Sequence, residues 1–199
     1  PSDIAQCLVG SEMCIRDSTK AELDILLNAF LEFEQYYNED APLEKVLPKL
    51  TKVYGDRYKG YTLKQLCQEM HEYYQGNNTF TLQQELFAKP DMQNYQMTPE
   101  HADYLFMKNE SELVNLDDVK GRIAAEGALP YPPGVFIVAP GEKWSDIDQK
   151  YFEVLVGAIE RFPGFVPEIQ GVYWDQKSDG KISCLLYTSP SPRDTERCR

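Results

Sequence analysis

Histidine is nearly absent from this chain: His71 and His101 are the only two in 199 residues. There is no HExxH pair, no Gly-Lys-Ser/Thr phosphate loop and no GxSxG, and residues 121–127 do not read GxGxxG. Zinc-protease, P-loop, nucleophile-elbow and dinucleotide chemistry therefore lack motif support. Basic side chains are in the minority, 20 Lys+Arg against 32 Asp+Glu, for a net charge of −12. That argues against nonspecific binding to nucleic acid or to anionic membrane, both of which need a basic face. No apolar run approaches the ~20 residues that span a bilayer. Cysteine is scarce inside the chain. Cys7, Cys14, Cys184 and Cys198 lie near the ends, and Cys67 alone lies between. The interior thus carries no disulfide framework and no cysteine-based metal site, which fits a reduced, cytoplasmic compartment. No internal repeat and no low-complexity tract occurs.

Helical periodicity dominates the first half. Thr19-Lys20-Ala21-Glu22 is a capping-box pattern. Leu23, Leu26, Leu27, Phe30, Leu31 and Phe33 follow at spacings of three and four, which predicts an amphipathic helix ending near Tyr37-Asn38. Pro42 opens a short second helix interrupted at Pro48, and Gly55 and Gly60 bracket a polar loop. Thr62 caps a helix over 63–75, with Leu63, Leu66, Cys67, Met70 and Tyr74 on one face and Gly76 as its stop. Residues 81–88 suggest a further helical turn or two. Thr98-Pro99-Glu100 places a cap and an N1 proline before a short helix through Met107.

The second half turns to strands. Residues 112–116 and 122–126 read as short strands. Residues 121–142, GRIAAEGALPYPPGVFIVAPGE, hold Pro130, Pro132, Pro133 and Pro140 around an apolar run. Proline fixes φ and biases its predecessor toward extended geometry. Residues 129–133 are thus expected to be a stiff extended loop, and 135–139 a buried strand stopped by Pro140-Gly141. Ser145 caps a helix in which Ile147, Tyr151, Phe152, Leu155, Val156 and Ile159 share a face and Arg161 suits the dipole. Residues 171–174 and 181–182 pair across Ser178-Asp179-Gly180. The fold class is α+β: an N-terminal helical segment followed by a small β-sheet with a covering helix.

The block LPYPPGVFIVAPGE resembles a signature of the C-terminal domain of bacterial-type, fold-type I, PLP-dependent ornithine/lysine/arginine decarboxylases. GRIAAEGALPYPPGV is most similar to the ornithine branch. Two further blocks, YKGYTLKQLCQEMH at 58–71 and FPGF through QGVY over 162–173, are similar to the same enzymes in the same order. The resemblance covers roughly 19–182. Three ordered blocks are far more specific than a lone PYPPG.

Both ends resemble something else. CLVGSEMCIRDS at 7–18 back-translates as one strand of a transposon-type sequencing adapter, and CLLYTSPSPRD at 184–194 as its reverse complement. Residues 1–18 and 183–199 are accordingly expected to be adapter-derived and outside the fold. They flank a helical segment at 19–110 that links to an α+β portion at 111–182 carrying PYPPG. Without the ends, 16 bases face 27 acids, a net charge of −11.

The resemblance implies an enzyme: a decarboxylase that uses pyridoxal 5'-phosphate to release CO2 from a small amino-acid substrate, as a homodimer or higher homo-oligomer, with no nucleic-acid or membrane partner. PLP chemistry needs an internal-aldimine lysine and an acid for the pyridinium nitrogen. In the family these precede the matched region, so this fragment is expected to lack catalytic and cofactor-binding residues, to bind no PLP or metal, and to be inactive alone. Lysine or arginine decarboxylase, or a non-catalytic interaction module, stand as alternatives. Glu126 and Tyr131 flank the proline loop. They belong either to an active-site entrance or subunit interface of the full enzyme, or to the packing of the loop itself. Tyr36, Tyr37, Tyr73, Tyr74 and Phe106 are candidates for subunit contacts or for core. His71 and His101 are expected at a surface or interface.

Overall fold

The structure, a computed structural model, describes residues 19–88, 95–131, 134–165, 168–176 and 182–189. They fall into two units, Pro1–Glu69 and Met70–Arg199.

In the first unit α1 (Lys20–Asn38) begins with the expected box: the Thr19 side chain accepts from the Glu22 backbone, and the Glu22 carboxylate accepts from the Thr19 N–H. The carboxylate gains two donors from Thr19, which hold its pKa below the ordinary value. Short helices α2 (Leu43–Val46), α3 (Pro48–Val53) and α4 (Gly55–Tyr58) follow. The stretch expected as a polar loop between Gly55 and Gly60 is thus a helical turn, and Tyr58 in it is fully buried. Arg57 locks the turn, donating to the Tyr61 hydroxyl and to Glu69, each at 2.8 Å. Helix α5 (Leu63–Gly76) starts with a reciprocal cap between Thr62 and Gln65 and buries Leu63 and Leu66.

The second unit, built from the rest of α5 onward, has one apolar core. Helix α6 (Thr79–Leu86) contributes Leu86, and α7 (Pro99–Met107) is capped by Thr98 as expected. Helix α8 (Asp146–Arg161) opens with the Ser145–Asp148 capping box. It presents Tyr151, Phe152, Leu155 and Ile159 to Leu116, Val119, Ala124, Val138, Trp144 and Val172. Phe152 and Trp144 meet edge to face at 5.4 Å, and burying each such ring contributes about 1.5–3 kcal/mol.

The strands are β1 (Glu112–Asn115), β2 (Ile123–Ala124), β3 (Leu129–Tyr131), β4 (Glu168–Gln170), β5 (Tyr173–Gln176) and β6 (Ile182–Ser189). All pairings among the described residues are antiparallel. Strand β6 is the hub. It pairs with β1 through Glu112↔Thr188 to Asn115↔Leu185, with β2 through Ala124↔Thr188, and with β5 through Tyr173↔Leu185 to Gln176↔Ile182. Because Thr188 and Leu185 each have two partners, β1 lies on one side of β6, and β5 and β2 lie end to end on the other. The strand runs through the boundary expected at 182. Thr188 is fully buried there and accepts from Arg122 Nε at 2.8 Å, while the same guanidinium pairs with Glu112. The turn expected at 178–180 lies outside the described residues, as do residues 1–18.

Two expectations for the proline block change. Leu129–Tyr131 is a true strand, paired with β4 in a separate two-stranded sheet through Pro130↔Ile169. An edge pairing tolerates the missing proline N–H. Residues 135–139 form no strand: only Val138 bridges, to Ala128, and Val135 and Phe136 are about half exposed.

Candidate functional site

The block at 121–142 closes on itself. Gly121 and Ala124 donate to the carbonyls of Trp144 and Glu142, and Gly141 and Trp144 donate back to Ala124 and Arg122. Further along, Ala128 donates to Val138, and Ile137 donates back to Ala128. The turn that makes this return possible is Ala139-Pro140-Gly141-Glu142. The Glu142 carboxylate accepts from the Ala139 N–H at 2.7 Å, and Gly141 sits at φ +87° with its Cα against the Met97 carbonyl, where no Cβ fits. The apolar run is therefore bent back rather than extended, which is why it fails as a strand.

Of the two residues expected at a site, Glu126 is half-buried in the turn between β2 and β3, and its carboxylate accepts from the Tyr173 hydroxyl at 2.7 Å. Tyr131 ends β3, 52% exposed, its ring over Gly134, where an added Cβ would come within 2.9 Å of Cδ2. Val135, Phe136 and Tyr173 are exposed as well, at 48%, 52% and 42%. Glu126 and four exposed side chains, Tyr131, Val135, Phe136 and Tyr173, thus belong to this block and the β5 residue bonded to it. A surface of that composition suits contact with another surface. Tyr173 was not singled out as a site residue from the sequence. Its signal was the QGVY block, whose order in the chain says nothing of its bond to Glu126.

The other candidates divide. Tyr73 donates to the Val154 carbonyl at 2.9 Å and meets Phe162 edge to face, and Tyr74 lies edge to face against Tyr73. Burial pushes both phenols above their ordinary pKa. Both are packing residues within the second unit. Tyr36 donates to Glu32, whose hydrogen bond and charge raise its pKa, and Tyr37 stacks on Phe33. Phe106 is half-buried on α7. His71 and His101 are exposed, the latter ring stacked on Tyr104 at 6.3 Å. His71 lines an open cleft of about 600 Å³ with Tyr74, Thr79 and Leu155, and a neighbouring cleft of about 660 Å³ is lined by Asn78, Glu85, Lys150 and Glu153. Neither cleft includes Glu126 or Tyr131. Among the described residues there is no group of three or more His, Cys, Asp or Glu able to hold a metal, and no helix long and apolar enough to cross a membrane.

Residues 80–188 match the family described as Orn/Lys/Arg decarboxylase, C-terminal domain. The chain belongs to that family. Its relatives within the Orn/Lys/Arg decarboxylases include the inducible ornithine decarboxylase of Lactobacillus sp., 49% identical over 165 residues, 83% of this chain and 23% of that protein. The inducible ornithine decarboxylase of Escherichia coli is 47% identical over 176 residues, 88% of this chain and 24% of that protein. Lysine and arginine decarboxylases are more distant, at 33% for an enzyme from Pseudomonas aeruginosa and 30% for one from Escherichia coli. The solved structure of lysine decarboxylase A from Pseudomonas aeruginosa superposes with a TM-score of 0.78 at 28% identity, over 87% of this chain and 23% of that one. The chain spans about a quarter of the length of the relatives it matches.

Pyridoxal phosphate, implied for the full-length decarboxylase, is held through a lysine with an acid partner for the ring nitrogen. The described lysines are exposed, apart from half-buried Lys64, whose Nζ lies over the Tyr37 ring at 5.6 Å. These residues do not fit the group.

Proposed function

We propose that the chain is the C-terminal portion of a cytoplasmic, PLP-dependent ornithine decarboxylase. The full-length enzyme converts L-ornithine to putrescine and CO2 in polyamine biosynthesis, works as a homodimer or larger homo-oligomer, and binds PLP through residues outside this chain. The observation that carries the substrate is the gap in identity: 44–49% to ornithine decarboxylases against 30–33% to lysine and arginine decarboxylases. Within that enzyme, Glu126 and Tyr131 belong to a surface that meets the active-site entrance or a neighbouring subunit. The half-exposed ring of Tyr131 beside Gly134, and the charge of Glu126 held by Tyr173, support this reading.

The test is the full-length gene product, assayed with PLP for kcat/KM on L-ornithine, L-lysine and L-arginine. Ornithine should be preferred by about tenfold or more, the scale of discrimination that one methylene in a pocket provides. A preference for lysine or arginine would transfer the chain to that branch. No decarboxylation of any of the three would leave the interaction-module reading.

A further inference from the structure

The half-buried Glu126 carboxylate takes its hydrogen bond from a neutral donor, the Tyr173 hydroxyl, at 2.7 Å. Among the described residues no Lys, Arg or His forms an ion pair with it. An ionised carboxylate has about four acceptor sites, so most of its accepting capacity is left open. A phenol donor fixes the orientation of the group without neutralising it.

Aromatic rings stand around this charge. Gly127, the next residue, lies so close under the Phe136 ring that no Cβ fits between them. Gly171, two residues before Tyr173, presses on the Gly127 carbonyl and brings the start of β5 to the same place. Tyr131 lays its ring over Gly134 on the same loop as Phe136. These three rings are half exposed, so their faces are not used up in packing. Glu168 stands opposite Tyr131 in the β3–β4 ladder, on the same face of that sheet, and adds a second negative charge. Carboxylates beside exposed aromatic faces suit an organic ammonium ion. The carboxylate accepts charge-assisted hydrogen bonds, and the ring faces attract the cation. An anion would be repelled, and an uncharged apolar ligand would cover the Glu126 charge without a partner.

The source of the cation follows from what the chain itself offers. Its described arginines are engaged: Arg57 with Glu69, Arg122 with Glu112, and Arg161 over the rings of Tyr73 and Phe162. A second copy of this surface would bring acid against acid. The diamino-acid substrate proposed above, and its diamine product, each end in a primary ammonium on a flexible chain.

We infer that Glu126, oriented by Tyr173 and flanked by Tyr131 and Phe136, binds the side-chain ammonium of the substrate, and an ammonium of the diamine product, at the active-site entrance. The inference rests on the reading of this surface as an entrance in an ornithine decarboxylase. It is tested on the full-length, PLP-loaded protein and its Glu126→Gln, Glu126→Asp and Tyr173→Phe variants. Glu126→Gln should raise KM for L-ornithine, and weaken putrescine binding in equilibrium dialysis, by about tenfold or more, the scale of one hydrogen bond to a charged group. The loss should fall on KM rather than kcat. Glu126→Asp keeps the charge and should recover part of it, and Tyr173→Phe should show a smaller loss of the same kind. L-Norvaline has the carbon chain of ornithine without the terminal ammonium, so its inhibition constant should not change. A norvaline constant that moves with the ornithine KM would mean general distortion of the site. Unchanged KM and putrescine binding would mean that Glu126 holds no ammonium. A shift in subunit dissociation alone would assign Glu126 to an interface. Each of these overturns the inference. The underlying reading fails separately: a wild-type protein that does not decarboxylate ornithine sinks the substrate assignment, while putrescine dialysis against Glu126→Gln still decides the ammonium site.

Discussion

The Tyr173 hydroxyl donates to the Glu126 carboxylate across 2.7 Å, joining two positions 47 residues apart in the chain. The bond ties the turn after β2 to the first residue of β5. Both groups are partly solvated, so as a purely structural link the bond contributes about 0.5–1.5 kcal/mol. If the pair also faces substrate or a neighbouring subunit, Glu126→Gln in the full-length enzyme changes kcat/KM or oligomer stability by more than about 1 kcal/mol. Tyr173→Phe shifts the same quantity in the same direction, and the double variant is no worse than the worse single one. Steady-state kinetics and oligomer dissociation together decide it. Wild-type values for both would confine Glu126 to packing of its own turn.

Gly171 is the tightest backbone contact in this region. Its φ is +76°, and a Cβ there would run into the Gly127 carbonyl. Gly171→Ala therefore carries both left-handed strain and a clash with backbone that cannot rotate away, a cost of about 2 kcal/mol or more. Gly76, with nothing within 4 Å of its would-be Cβ, is the control. Gly76→Ala should move stability by less than about 1 kcal/mol, toward the stable side. Denaturant midpoints of the two full-length variants give the comparison. Equal midpoints would mean that the loop gives way around Gly171.

The elements legible from the sequence are those whose signals are local. Helices α1, α5 and α8 announce themselves by a capping pair and a three-four spacing, and Thr19, Thr62 and Ser145 all cap as expected. The strand expected at 135–139 fails for a non-local reason. Its β-branched content is genuine, but Pro140-Gly141 returns the chain against 121–124, so that pairing is confined to Ile137 and Val138 against the single residue Ala128. Strand β3 was hidden by Pro130, which argues against a strand unless the partner tolerates a missing donor, and that partner lies 39 residues on, at Ile169. At the candidate site the motif drew attention to Glu126 and Tyr131. It could not name Tyr173 as the group that holds Glu126, because the two lie 47 residues apart and meet only in the folded chain.

Strand β6 supplies the next outcome. Residues 183–189 pair with β1, β2 and β5, which otherwise share no ladder among the described residues. A stop codon after residue 182 should abolish the cooperative melting of the second unit. Removing three sets of cross-strand bonds exposes the core face of a sheet that cannot re-pair. A milder change isolates one contact. Thr188→Val keeps the strand shape but strips the acceptor from Arg122 Nε, at a cost of about 1–3 kcal/mol. Limited proteolysis of the full-length variants reads both. Unchanged resistance after truncation would place residues 183–199 outside the fold, as expected from their adapter-like sequence.

The last outcome concerns alkaline pH. Burial raises the Tyr73 phenol above its ordinary value of 10, and its hydroxyl donates to the Val154 carbonyl. A tyrosinate has no proton to donate and would be desolvated beside Tyr74 and Phe162, a cost that outweighs the favourable charge of Arg161 over its ring. The unfolded chain releases this proton near pH 10, whereas the folded chain holds it to higher pH. Stability from Tyr73 is therefore complete below pH 10 and is lost as pH rises through the folded value. Tyr73→Phe removes this dependence: it lowers stability by about 1 kcal/mol at neutral pH, through the lost hydrogen bond to the Val154 carbonyl, and flattens the alkaline limb. Ultraviolet titration of phenolate followed alongside circular dichroism separates the two. If wild type and Tyr73→Phe lose structure along parallel curves above pH 10, the buried phenol is not what limits alkaline stability.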